Sequence, residues 1–161
     1  MKRARIGILA AAVLAVASVA FAQAKPDFSG TWTLDPEASG MAAPAGGGGG
    51  GGGRGGGALG NGPSTVKQTA DTLTIERTMG DNKVTFTYKL DGTESKNTMM
   101  GRGGNPMESV STAKFDGGKL VITTKAGENE TTQTWSLAGS VLTVESTGGR
   151  GPQKRVYKKT T

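Results

Sequence analysis

A chain of 161 residues is long enough for one domain with a real hydrophobic core and no more. It has no cysteine, so neither a disulfide framework nor a lipid-modified cysteine is available, and the fold must rest on burial alone. The formal charge of +6 falls to +3 (16 basic against 13 acidic residues) once Lys2, Arg3 and Arg5 are set aside, too mild a surplus to imply nucleic acid as a partner.

Those three residues precede an uncharged apolar stretch, Ile6 to Ala22, which ends in the small-residue patterns Ala20-Phe21-Ala22 and Ala22-Gln23-Ala24. A basic start, a short apolar run and such an end define a cleavable signal peptide over residues 1–24. The mature chain, 25–161, is therefore expected in the periplasm or the medium. An uncleaved anchor is the rival reading, but the stretch is rich in Ala rather than Leu and is short against the roughly 20 residues a span needs.

Residues 36–62 have almost nothing to bury. Gly46 to Gly53 is an unbroken glycine run, followed by Arg54 and by Gly55 to Gly57. Ordering glycine costs the most backbone entropy and brings no side chain in return, so a flexible, disordered loop is expected there.

The remainder predicts short strands: Phe28 to Asp35, Ser64 to Thr69, Thr72 to Met79, Lys83 to Leu90, Glu94 to Met100, Met107 to Phe115, Lys119 to Lys125, Glu130 to Leu137, Val141 to Ser146 and Gln153 to Lys159. No 3.6-residue period is present, while Thr and Val alternate and turn residues recur every few positions. Val84, Phe86, Tyr88 and Leu90 set against Lys83, Thr85, Thr87 and Lys89 give one apolar and one wet face. Leu73 and Ile75, Leu120 and Ile122, and Leu142 and Val144 continue the apolar face. Hairpin signals at Asp91-Gly92, Asp116-Gly117-Gly118 and Ala138-Gly139 make sequential strands antiparallel neighbours. The fold class is thus all-β, an up-and-down antiparallel meander of about ten strands, and closure into a barrel spares it two bare edges.

The first strand contains Gly30-Thr31-Trp32 and the last Arg155-Val156-Tyr157. These ends resemble the calycin superfamily, the lipocalins and the fatty-acid-binding proteins, where Gly-x-Trp opens the first strand of the former and Arg-x-Tyr lies in the last strand of the latter. The run from Ser111 to Val121, then Glu130-Thr131-Thr132, is similar to the carboxy-terminal half of the fatty-acid-binding proteins. The opening Asp27-Phe28-Ser29-Gly30-Thr31-Trp32 also resembles exported bacterial lipocalin-like proteins of unassigned function. Two departures stand out: the glycine segment replaces the two lid helices, and Trp135 stands where the second carboxylate-holding arginine of fatty-acid-binding proteins aligns.

The resemblance implies a lumen faced by Arg155 and Tyr157, which share strand parity and would grip a carboxylate by charge-assisted hydrogen bonds. It equally allows Arg155 to lie across Trp32 as a cation–π clasp of the barrel. Arg77 has the parity of Leu73 and Ile75 and so points inward near its strand's end, either to help hold an anion or to snorkel at the rim. Trp32 and Trp135 wall a cavity or simply fill the core. The links after the first, fifth and ninth strands carry Arg54, Arg102 and Arg150, so an up-and-down barrel gathers these arginines on one rim, opposite a closed end expected to be acidic from Asp71, Asp91 and Asp116.

Absence of His and Cys removes the commonest general base, the commonest nucleophile and the softer metal ligands, and no inward carboxylate pair is evident. No enzymatic activity, cofactor or metal is expected. Isolated Gly-Arg-Gly steps lack the dense, aromatic-interleaved repeats of nucleic-acid-binding boxes. Two readings stay open: a monomeric binding protein for a small hydrophobic or anionic ligand such as a fatty acid, with an anionic membrane surface as a further partner, or an envelope-associated interaction module with a packed, ligand-free barrel.

Overall fold

The computed structural model describes residues 25–41, 57–79, 82–100, 105–148 and 151–160. The expected leader and Arg54, Arg102 and Arg150 lie outside these residues. Ten strands run in chain order: β1 (Gly30–Asp35), β2 (Ser64–Gln68), β3 (Thr72–Met79), β4 (Asn82–Lys89) and β5 (Asp91–Met100), then β6 (Pro106–Asp116), β7 (Lys119–Ala126), β8 (Asn129–Ala138), β9 (Val141–Thr147) and β10 (Gln153–Thr160). They form one antiparallel sheet in the order β4-β3-β2-β1-β10-β9-β8-β7-β6-β5, a meander in which the first and last strands pair.

Tight turns fix the register. Asp116 pairs with Lys119 across Gly117 and Gly118, whose φ values of 53° and 78° supply the left-handed backbone of a two-residue hairpin. Side chains then alternate. Val66, Leu73, Ile75, Phe86, Leu120, Ile122, Trp135 and Leu142 are buried on the inner face, and their neighbours along each strand face water. Two strand starts differ from expectation. Phe28 and Ser29 precede the β1 ladder, and β5 begins at Asp91, because a bulge between Asp91 and Glu94 absorbs a register shift that an alternating pattern does not reveal.

Closure between β4 and β5 uses side chains. The Asn97 amide accepts from the Thr87 N–H (2.7 Å) and donates to the Thr87 carbonyl (3.0 Å), while the Ser95 hydroxyl accepts from the Lys89 N–H (2.8 Å). A side chain that reproduces two backbone bonds closes a seam too wide for a ladder. Asn97→Ala is therefore expected to cost about 1–2 kcal/mol in urea unfolding and to speed amide exchange at Thr87; unchanged exchange there would show that the seam is held elsewhere.

The turns after β2, β4, β6 and β8 lie at one end, the base, which Lys25 to Ser29 crosses. The links after the odd-numbered strands lie at the other end, the mouth, so the strand ends flanking Arg54, Arg102 and Arg150 share one rim. Lysines accompany the aspartates at the base: Lys119 stands opposite Asp116, the Lys25 ammonium lies 5.3 Å from the Phe115 ring centre, and Lys159 sits at the same end. The long β1–β2 connection is anchored at its start, where the Ser39 hydroxyl accepts from the Val156 N–H at 2.9 Å.

Candidate functional site

Strand alternation carries Arg155 and Tyr157 of β10 into the lumen, and β3 brings Arg77 in near the mouth. Arg155 is only 8% exposed, and its Nε and Nη1 have no hydrogen-bond partner; neither has Nε of Arg77. The Arg77 guanidinium sits 5.4 Å from the Phe86 ring centre, so it lies along an apolar wall rather than snorkelling free of it. The ion pairs among the described residues engage Glu76, Glu108, Glu130 and Asp35 with lysines on the outer face. None of these carboxylates reaches the two guanidiniums.

Electrostatics follow from that geometry. Burial lowers the affinity of the Arg77 guanidinium for its proton, opposed by the nearby Tyr157 and Tyr88 and reinforced by the like charge of Arg155. Burial pushes the Tyr157 and Tyr88 phenols up, so both remain protonated donors at neutral pH. The site thus offers hydrogen-bond donors and positive charge with no matching anion among the described residues. Around it the wall is mixed: Phe86 and Ile75 on β4 and β3, but Ser95, Asn97, Ser109, Ser111 and Gln133 on β5, β6 and β8.

The tryptophans are placed otherwise. Trp32 is fully buried, and its indole N–H donates to the Phe28 carbonyl at 2.8 Å. The cation over its ring is Lys159, 5.6 Å from the centre, and not Arg155. Trp32 and Lys159 are direct cross-strand partners, whereas Arg155 lies four residues earlier and pairs with Val144. Gly30 permits this clasp, since at φ 139° it has the backbone freedom of glycine and a Cβ there would fall on the Lys159 stem. Trp135 packs edge-on against Phe28 (5.7 Å between ring centres), which stacks on Phe115 (6.5 Å), and its N–H donates to Gln133 at 3.2 Å. Both indoles thereby help to close the base.

One part of the site falls within residues 36–62, expected from the sequence to be a flexible loop with almost nothing to bury. Ala58 and Leu59, at the end of the glycine segment, are 4% and 2% exposed and belong to the core. The Leu59 carbonyl accepts from the Tyr157 hydroxyl (3.3 Å), and the Gly57 carbonyl accepts from Arg77 Nη1 (3.4 Å). The only signal in the sequence is an apolar pair, Ala58-Leu59, standing where glycine otherwise repeats. Among the described residues no group of His, Cys, Asp and Glu is placed to hold a metal ion, and no helix is long and apolar enough to cross a membrane.

No family model matches the chain, and no curated protein matches it by sequence. Solved structures do match. A secretary abundant heat soluble (SAHS) protein from Ramazzottius varieornatus superposes with a TM-score of 0.53 at 18% identity, over 83% of this chain and 95% of that one. A fatty-acid-binding protein 1 from Echinococcus granulosus gives 0.52 at 14% identity, over 62% and 71%. A protein described as the REP1-NXSQ fatty acid transporter gives 0.51 at 16% identity, over 62% and 70%. Ten antiparallel strands in one nearly closed meander, a buried Gly-x-Trp on the first, an inward Arg-x-Tyr on the last and these superpositions together give the chain a calycin-like fold.

Proposed function

We propose that the chain is an exported, non-enzymatic binding protein whose lumen takes a small amphipathic anion. Its head would rest against Arg155, Arg77 and Tyr157, and its apolar part along Ile75, Leu73 and Phe86. The observation that carries this reading is Arg155 itself, a residue 8% exposed whose guanidinium has Nε and Nη1 unmet and, among the described residues, no carboxylate paired with it. A buried charge without a partner is costly, and a ligand that supplies the missing anion removes that cost. Two structural neighbours are described as a fatty-acid-binding protein and a fatty acid transporter, which agrees with the class of ligand. Export rests on the signal-peptide pattern of residues 1–24.

Titration with decanoate and with decanol, which share a chain but not a charge, tests the reading. Decanoate is expected to bind at one per barrel, and decanol about 10- to 100-fold more weakly, the worth of one or two hydrogen bonds to a charged group. Equal affinities, or no binding, would defeat it. The arginines expected from the sequence at the mouth, Arg54, Arg102 and Arg150, further predict that decanoate association slows as salt screens them.

A second reading has its own support. Leu59 and Ala58 occupy space in the lumen, as in a barrel packed to serve as an interaction module. Stoichiometric decanoate binding would dismiss it.

A further inference from the structure

The segment Gly57 to Gly60 meets the same groups that would receive a ligand. Its carbonyls take the Tyr157 hydroxyl and Arg77 Nη1, and its single large side chain, Leu59, fills apolar lumen beside them. A polar end on the donors and an apolar body against the wall is the pattern of an amphipathic anion, with one difference. A peptide carbonyl has no net charge, the two hydrogen bonds are long at 3.3 and 3.4 Å, and Arg155 Nε and Nη1 remain unmet. Charge-assisted bonds to a carboxylate are shorter and stronger. We infer that Gly57–Gly60 is an internal plug that occupies the lumen as a stand-in for the ligand and is expelled when an anionic amphiphile binds. This inference rests on the binding-protein reading above and adds its regulation.

The local sequence suits a plug that seats closely and leaves easily. At Gly57 a Cβ would fall on the Gln133 side chain, and at Gly60 it would stand 2.6 Å from Arg77 Nη1, so a side chain at either position seats only by pushing aside the end of Gln133 or of Arg77. Glycine is what lets the backbone carbonyls approach. Downstream, only Asn61, Gly62 and Pro63 separate the plug from β2, so it stays tethered beside the lumen when displaced. A competitor on so short a tether acts at high effective concentration. Apparent affinity then falls by the fraction of barrels that stand open, and removing the plug recovers that factor.

Decanoate binding by the mature chain, followed by calorimetry and by hydrogen exchange at the amides of Ala58, Leu59 and Gly60, provides the test. In the natural sequence, saturation with decanoate is expected to raise exchange at these amides as the plug leaves. Leu59→Ala and Gly60→Val are each expected to bind decanoate about tenfold tighter, the first by weakening the plug and the second by hindering its seating. Weaker binding by Leu59→Ala would make Leu59 part of the ligand wall. Tighter binding by that variant alone, or exchange that falls on saturation, would place the ligand beside a plug that stays in. Either result overturns the inference. If all three proteins bind equally, the plug fails while the binding reading stands; if none binds, both fail. Should Leu59→Ala not fold, Gly60→Val carries the test, and if neither folds the segment is fixed core and the inference is wrong.

Discussion

Arg155→Met is expected to stabilise the barrel and to destroy anion binding in one step. Methionine matches the length of the arginine stem and needs no hydrogen bonds, so the substitution removes an uncompensated charge from the lumen without opening a large cavity. The gain should be about 1–3 kcal/mol in urea unfolding, by analogy with buried ionic groups replaced by apolar ones. Decanoate affinity should fall by about a hundredfold, because two hydrogen bonds to a charged group are lost together. Opposite signs for stability and binding mark a residue kept for its ligand. If Arg155→Met instead destabilises by more than about 2 kcal/mol while decanoate binding survives in the folded fraction, the guanidinium is structural and the proposed site is misplaced.

The strands were legible because one face of each is buried, and burial on one face writes itself into the sequence as alternation. Val84, Phe86 and Tyr88 against Thr85 and Thr87 admit no other register. On β5 the pattern fails, because Glu94, Ser95, Lys96, Asn97 and Thr98 are polar on both faces. What turns Ser95 and Asn97 inward is the need to satisfy the backbone of β4 across the seam, a tertiary demand that no local pattern records. Parity likewise put Arg155 and Tyr157 on one face, and the resemblance to the fatty-acid-binding proteins made that face the lumen. It could not say which cation reaches Trp32, since that depends on the β1–β10 register, and the register sets Lys159 opposite the indole. Leu59 was hidden for a different reason: a single apolar side chain among glycines has no period, and only the enclosing barrel shows where it goes.

Trp32→Ala is expected to have the largest effect on stability of any single change at the base, about 3–5 kcal/mol by the cost of emptying a buried aromatic site. The indole is fully buried, and its N–H is bonded to the Phe28 carbonyl at 2.8 Å, so the variant loses both packing and the bond that holds the segment crossing the base. Phe28 in turn packs on Trp135 and Phe115, so damage at Trp32 spreads to the second indole. Against a typical total of about 5–15 kcal/mol, and with no disulfide to hold the chain, such a loss removes about a fifth of the stability or more. Trp32→Phe keeps most of the ring volume but strands the Phe28 carbonyl, which should cost about 1–3 kcal/mol. Lys159→Met keeps an apolar stem over the ring and gives up only an exposed cation–π contact, which should cost less than about 1 kcal/mol. Chemical unfolding of the three variants should therefore rank Trp32→Ala far above Trp32→Phe, and Trp32→Phe above Lys159→Met. A Lys159→Met loss equal to that of Trp32→Ala would mean that the clasp, rather than the packed indole, closes the barrel.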